Sequence, residues 1–479
     1  MTASPALFDD GTLPERRADT EHPPRAAGRA RVMYPNRDQI ELRPSDLESL
    51  LPEGHRARIV WGYVVGLDLS VLYAGIKVVE GGVGRAAIAP EILYALWLFA
   101  TLEGVGSARK IARLTQEHDA YRWICGGVQV NYHTLADFRS EQGEALDTLL
   151  SDNIACLLAA GVVKLKSVAQ DGVRVRASAG AASFRREEKL KSCLEAATER
   201  VAALKRELED DPGAQTRRRQ AARERAARER EDRIAAALAR VPELAAIKNR
   251  QGKGRATARA STTDPEATVM KMADGGFRPA YNIQFASDTE SQIIVGVDAA
   301  SSGSDMAQMA PMVEQVIERC GSAPENWLVD GGFPAHEQLD AVAEQTRVIA
   351  PVPKPKTKDK TKDGDGGEGP REEAHGKPAP VTYEHQRKPG DSQAVGDWRE
   401  RMATEEAKTL YKDRAATAEC VNAHARNRHL VLLPVRGLEK VKGVARLYAL
   451  AHNLMRMISL APELLGIGVS TSGVRTMAA

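Results

Sequence analysis

Between residues 39 and 160 the apolar positions step by three and four. Leu47, Leu50 and Leu51 lead to Ile59, Val60, Tyr63, Val64 and Leu67, the spacing that gathers side chains on one face of a helix. A further helix begins after Pro90 in EILYALWLFATLEG, with Pro at its start and Gly104 at its stop, the punctuation typical of helix ends. SARKIARLTQEH and YHTLADFRSEQGEALDTLLSDNIACLLAAG continue the period. With Trp61, Trp97 and Trp123 they predict one all-α N-terminal domain over 35–160.

From Lys164 the period changes to two. KLKSVAQDGVRVRAS alternates through Val168, Val173 and Val175 and predicts a strand. A helical stretch then interrupts, with Leu190, Leu194, Ala197, Val201, Leu204 and Leu208 in a coiled-coil spacing. Asp211-Pro212-Gly213 breaks it, and Ile234, Leu238 and Val241 stripe a second helix. These predict a helical hairpin inserted at about 185–260. RPAYNIQFASD and QIIVGVDAAS follow as strands joined at Thr289-Glu290-Ser291; then come helix DMAQMAPMVEQVIERC, strand ENWLVD, helix AHEQLDAVAEQ and strand RVIAPV. The order predicts an α/β fold, a mixed sheet flanked by helices and interrupted by the hairpin. Residues 353–396 read as a charged Pro/Gly/Lys linker, with helices from Asp397 to Arg426 and in LEKVKGVARLYALAHNLMRMISL closing the fold near 460. Residues 1–34 and 461–479 read as tails.

Composition adds little at first. The 479 residues carry 67 Lys+Arg and 65 Asp+Glu, a net charge of +2. A chain 28% charged and 43% hydrophobic is not a disordered, collagenous or disulfide-stapled protein. Five scattered cysteines without CxxC spacing argue against structural zinc and fit a reducing cytoplasm. No signal-like or membrane-spanning apolar run is found, so the expectation is a cytoplasmic protein without a membrane partner. The charge is unevenly spread: residues 215–260 hold 14 Lys+Arg and five acids, a local +9. That stripe, with Arg217, Arg218 and Arg219 at its start, reads equally well as a phosphate-tracking surface or a solvated helix.

Candidate chemistry lies at strand positions and on one helix. Asp171 sits inside an apolar strand and is followed by Gly; Asp330 ends WLVD and is followed by two glycines. A buried carboxylate needs a partner or a metal, and ligands gather at strand ends in open sheets. One such Asp reads equally as a turn cap; two on one sheet favour a site. In LYKDRAATAECVNAHARNR, Glu419, Asn422 and Arg426 share a helix face, with Tyr411 on nearly the same side. The helix alone favours a solvated Glu419 paired with Arg426 or Arg414.

These blocks together resemble the DDE transposases of bacterial insertion sequences. The resemblance is carried by VAQDGVRVRASAGAASFR, DPEATVMKMADGGFRPAYNIQ, WLVDGGFPAHEQL, YKDRAATAECVNAHARNR, RGLEKVKG and LAHNLMRM, and by GRAAIAPEILYALWLFATLEGVGSARKIARL and NYHTLADFR upstream, about residues 35–460 in all. It implies an RNase H-like catalytic domain over 161–460 and an N-terminal domain that recognises element ends. It implies Asp171, Asp330 and Glu419 as catalytic, metal-binding acids for two Mg²⁺ or Mn²⁺ ions. It implies Tyr411, Arg414 and Arg426 near phosphates; Asn422, on the helix face of Glu419 and Arg426, is a candidate for the same set, and Arg109 and Lys110 are less specific candidates for DNA contact. His133 is also at a family-typical position, where a structural role at the start of a helix is the safer reading. Two features depart from the family signature: four residues separate Arg414 from Glu419 where three are usual, and the last basic residue is Arg426 in place of Lys. The implied activity is cleavage of double-stranded DNA at element ends and joining of the 3′-OH to target DNA, by a homo-oligomer at the bacterial nucleoid. A metal-dependent nuclease without strand transfer, or an inactive DNA-binding relic, are the alternatives.

Overall fold

The computed structural model describes residues 46–466, apart from 80, 82, 85, 211–213 and 354–384. The predicted N-terminal tail, most of the predicted C-terminal tail and most of the predicted linker therefore lie outside the described residues; Pro462–Leu465 of the C-terminal tail form a 3-10 helix, and the end of the linker is helical from Gln393. Helices α1 (Arg56–Val65), α2 (Ser70–Tyr73), α3 (Pro90–Leu102), α4 (Ala108–Glu117), α5 (Asp119–Cys125), α6 (Tyr132–Glu141) and α7 (Gly143–Ala159) come first. Each has a readable cause. Pro90 supplies the first position of α3; Ser107 and Asn131 cap α4 and α6 through their side-chain oxygens. The α3 helix is apolar all round, and its Trp97 is buried with the indole N–H donating to Leu135 O at 3.0 Å.

Strand β1 (Ser167–Arg176) opens the sheet, and β2 (Phe184–Arg185) leads to α8 (Glu187–Asp210) and α9 (Ala214–Arg250). Leu190 and Ala197 of α8 bury against Ile234, Ala237 and Val241 of α9. The start of one helix meets the end of the other, so the insertion is an antiparallel hairpin with its own small core. Strand β3 (Ala260–Ser261) pairs with β2 and closes the hairpin's neck.

The rest of the sheet follows as β4 (Thr268–Lys271), β5 (Phe277–Asp288), β6 (Ile294–Ala300), β7 (Asn326–Leu328) and β8 (Arg347–Ile349). β5 pairs antiparallel with β1 on one side, and with β4 and β6 on the other. β7 lies parallel to β1, and β8 parallel to β7. This is the expected mixed sheet. The edge strand β4 and the short β2–β3 ladder were not anticipated. The β5–β6 turn is built on Asp288, whose carboxylate accepts from Ser291 N at 2.9 Å and Oγ at 2.7 Å.

Helices cover both faces. α10 (Met309–Cys320) presses on β6, where a Cβ on Gly296 would meet Met312 Sδ at 2.7 Å. Past α11 (His336–Val342), the closing helices are α12 (Gln393–Ala403), α13 (Glu405–Asn427) and α14 (Leu438–Leu460). The single helical region expected from Asp397 to Arg426 is two helices, because Thr404 leaves helical geometry and caps α13 by accepting from Ala407 N. Phe285, paired with Asp171 and so on its face, stacks on Tyr448 of α14 at 5.4 Å. Asn453 of α14 donates to Ile294 O at 3.0 Å and accepts from Ile294 N at 2.8 Å, and also donates to Asn153 of α7 at 3.2 Å. Asp147 of α7 similarly holds Arg319 of α10 at 2.7 Å and Arg446 of α14 at 2.9 Å. One hydrophobic core runs from Leu51 through the sheet to Met457. Among the described residues, no helix is long and apolar enough to cross a membrane.

Candidate active site

Asp171 sits midway along β1, opposite Phe285 of β5. Its Oδ1 accepts from Gly172 N at 2.9 Å and lies 3.3 Å from Arg414 Nη2; its Oδ2 accepts from Asn422 Nδ2 at 2.9 Å. Burial pushes the Asp171 carboxyl above the usual carboxylate range, and the Arg414 guanidinium pulls it back. Asp330 follows β7, where its Oδ1 accepts from Gly332 N at 2.8 Å and its Oδ2 lies 3.8 Å from the same Arg414 nitrogen. Two carboxylates from parallel neighbouring strands thus converge on a single cationic atom. Tyr411 is half-buried beside them, its hydroxyl pushed up by burial and drawn down by Arg414. Arg414 Nε and Asn422 Oδ1 are buried without a hydrogen-bond partner among the described residues.

The expected set does not come together as a whole. Glu419 is exposed and has no hydrogen bond or ion pair among the described residues. It lies five positions on from Arg414, about 140° around an α-helix, so a helix that turns Arg414 to the two Asp side chains turns Glu419 away. Ala418, buried at 4% exposure, faces inward where the more usual spacing would put the acid. Asn422 is buried while Arg426, on the same stripe, is exposed. Among the described residues, no group of three His, Cys, Asp or Glu side chains is arranged to hold a metal. Asp171 and Asp330 do fit one: hard oxygen donors already share a cation position, which the guanidinium fills.

The side of β1 opposite the Asp171 carboxylate carries a polar network that was missed. Gln170 donates to Gln284 Oε1 at 3.1 Å and to Gln308 O at 2.9 Å. Gln284 and Asn282 each donate to Asp305 Oδ1 at 2.7 Å. Gly172 lies over this network, and a Cβ there would stand 2.6 Å from Asn282 Oδ1, 2.7 Å from Asp305 Oδ1 and against Gln284. The available signal was Asn282 and Gln284 alternating inside an apolar strand. Asp305, in a loop of serines, gave none.

The remaining basic candidates are on the surface. Arg109 is exposed with its guanidinium 5.0 Å from the Tyr132 ring centre, and Lys110 is exposed beside it. His133 is exposed and stacks on Tyr132 at 4.0 Å. Arg219 is exposed, whereas the side chains of Arg217 and Arg218 lie outside the described residues.

Comparison with known protein families finds two partial matches. Residues 373–458 match the family described as Transposase DDE domain, and residues 45–141 match Transposase domain (DUF772). These two matches support an insertion-sequence DDE transposase. No curated protein and no solved structure matches it. The DDE-domain match includes Tyr411, Arg414, Glu419, Asn422 and Arg426. The second match covers α1–α6 and ends with the last residue of α6. A DDE transposase acts on DNA, and such enzymes generally use divalent metal ions. The mixed α/β fold with its helical N-terminal region accords with that family.

Proposed function

We propose that the chain cleaves DNA at insertion-sequence ends and joins the freed 3′-OH to target DNA, with Asp171, Asp330 and Glu419 as its catalytic acids. The observation that supports this reading is the convergence of Asp171 and Asp330 on one guanidinium nitrogen, at 3.3 and 3.8 Å. Asp171, Asp330 and Glu419 would hold two Mg²⁺ or Mn²⁺ ions, whose chemistry is to activate an attacking oxygen and neutralise a leaving one. Asn422 and the Gly172 N–H orient the Asp171 carboxylate, so its free lone pairs point into the shared space. The Gly332 N–H does the same for Asp330. Arg414 lies against both acids and offers a planar fork to a phosphate. Arg426 and Tyr411 stand on the same helix to position the strand, and Glu419 joins by side-chain and helix adjustment when DNA binds. Arg109, Lys110 and Arg219 contribute further backbone contacts.

In the first step water attacks phosphorus and the 3′-oxygen leaves as a hydroxyl, with the phosphate left on the flanking strand. In the second, that hydroxyl attacks a target phosphodiester, one P–O bond forms as another breaks, and the target's 3′-oxygen leaves with the proton. Each DNA end needs its own site, so a homo-oligomer on double-stranded DNA is part of the proposal. Residues 35–160 serve as the end-recognition region and 161–460 as the catalytic region.

The test uses a plasmid carrying the DNA that flanks the coding sequence, a second target plasmid and Mg²⁺. Joined products that vanish in Asp171→Asn, Asp330→Asn and Glu419→Gln, each still binding DNA, support the proposal. Cleavage without joining marks a nuclease, binding without cleavage marks a relic, and full cleavage by one variant removes that residue from the set.

A further inference from the structure

A groove of about 1090 Å³ runs between the C-terminal half of α9 and the free edge of β4. Arg174, Lys248, Lys253, Arg259 and Lys271 line it, and none has a carboxylate partner among the described residues. Two other cations in the wall are neutralised, Arg240 by Glu243 and Lys442 by Asp298. Arg174 is fixed in place because it donates to Lys271 O at 2.8 Å and Gly303 O at 3.0 Å. The groove therefore carries a surplus of about five positive charges along its length. Like charges held this close repel one another, and a polyanion relieves that repulsion.

The second observation is aromatic. Phe277, at the first position of β5, also lines the groove and is 68% exposed. It pairs with Lys271, and Val269, 49% exposed, is its diagonal neighbour on the same face of the hairpin. An exposed phenyl ring offers a flat apolar face for stacking. In a duplex both faces of every base are taken by its neighbours in the stack. An unpaired base has a face to give.

We infer that this groove holds a single strand of DNA, its phosphates on Lys248, Lys253, Arg259 and Lys271 and one unpaired base stacked on Phe277. The inference rests on the chain acting on DNA and deepens it. It places the strand-separated part of the substrate against the inserted hairpin and Arg174, three positions beyond Asp171 on β1 with its side chain on the opposite face of the strand.

The experiment reads binding alone, in EDTA, by fluorescence anisotropy with a labelled single-stranded oligonucleotide and the matching duplex. The readout needs no cleavage, so a failure of the catalytic proposal leaves it intact; Lys164→Ala, which pairs with Glu290 and does not line the groove, is the control and binds like the parent. Phe277→Ala weakens single-strand binding roughly ten- to a hundredfold and spares the duplex, and Phe277→Trp restores it. Lys248→Ala, Lys253→Ala and Lys271→Ala combined flatten the plot of log affinity against log salt by roughly 2, about 0.7 per lost phosphate contact. Thermal melting confirms that each variant is folded. The inference is overturned if Phe277→Ala binds the single strand like the parent or weakens both probes equally. An unchanged salt slope in the triple variant, or a slope change confined to the duplex, overturns it as well.

Discussion

Arg414→Ala removes the guanidinium that stands between Asp171 and Asp330. At 3.3 and 3.8 Å, and with an effective dielectric of about 20, each contact is a gross attraction of about 4–5 kcal/mol. Most of that offsets the desolvation of the three groups. Losing one partner of a buried pair costs about 3–5 kcal/mol. The Asp330 side chain is 42% exposed, so water replaces much of its share, whereas that of Asp171 is only 20% exposed. Asn422 and Gly172 still hold Asp171. The expected net loss is about 2 kcal/mol, read as a lower urea midpoint at unchanged slope. Magnesium adds a sharper criterion. A cation bound at 100 times its Kd stabilises by about 2.7 kcal/mol. In the variant that gain appears in full, while in the parent the guanidinium competes for the same oxygens. Added Mg²⁺ therefore raises the midpoint of the variant more than that of the parent and largely restores it. A variant within about 0.5 kcal/mol of the parent, or equal Mg²⁺ shifts in both, refutes the view that Arg414 occupies the cation position.

Two further outcomes follow from the surroundings of the site. Gly172→Ala forces a methyl group onto Asn282 and Asp305, an overpacking that costs about 1–3 kcal/mol; urea unfolding measures it, and a loss below about 0.5 kcal/mol shows that the polar network gives way freely. His452, buried with its Nε2–H donating to Gln292 O at 2.9 Å, has its pKa lowered to about 4, first by burial and then by Arg428, His424 and Arg456 nearby. Its folded value lies below the unfolded value of about 6.5, so the unfolded chain binds the extra proton first. Stability is complete above pH 6.5 and falls towards pH 4, by at most about 3 kcal/mol from this group. Chemical denaturation across that range, with His452→Gln flattening the decline, checks it.

The long elements were legible because their patterns are redundant. β1 is ten residues long and alternates buried with exposed over its last four, and the hairpin repeats one seam on α8 and another on α9. The β4 strand has four residues, of which only Met270 is buried, and β2 and β3 have two each, too few to show a period. At the site, Asp171 and Asp330 were readable as acids placed against the rule for apolar strands. The face shared by Glu419, Asn422 and Arg426 was readable as arithmetic. Where burial stops on that face was not, because it depends on how far the sheet extends beneath α13; the line falls between Asn422 and its two charged neighbours. Asp305 reaches Asn282 and Gln284 across more than twenty positions, from a loop with no period at all.

The clamp by which Asn453 joins α7 to the edge of the sheet also sets a timetable. Asn153 and Asn453 lie 300 positions apart. At about 5–20 residues per second, a ribosome needs about 15–60 s to travel between them. Throughout that interval the N-terminal helices have been made but the helix that seals them against the sheet has not. Their apolar faces must stay wet, pack provisionally or be sheltered by a chaperone. A translation product that stops short of Leu438 never leaves this condition, since every partner of α14 then keeps an open flank. Nonsense and frameshift lesions far downstream of the two acids are thus expected to act as folding lesions, cleared by proteolysis before any fragment competes for DNA.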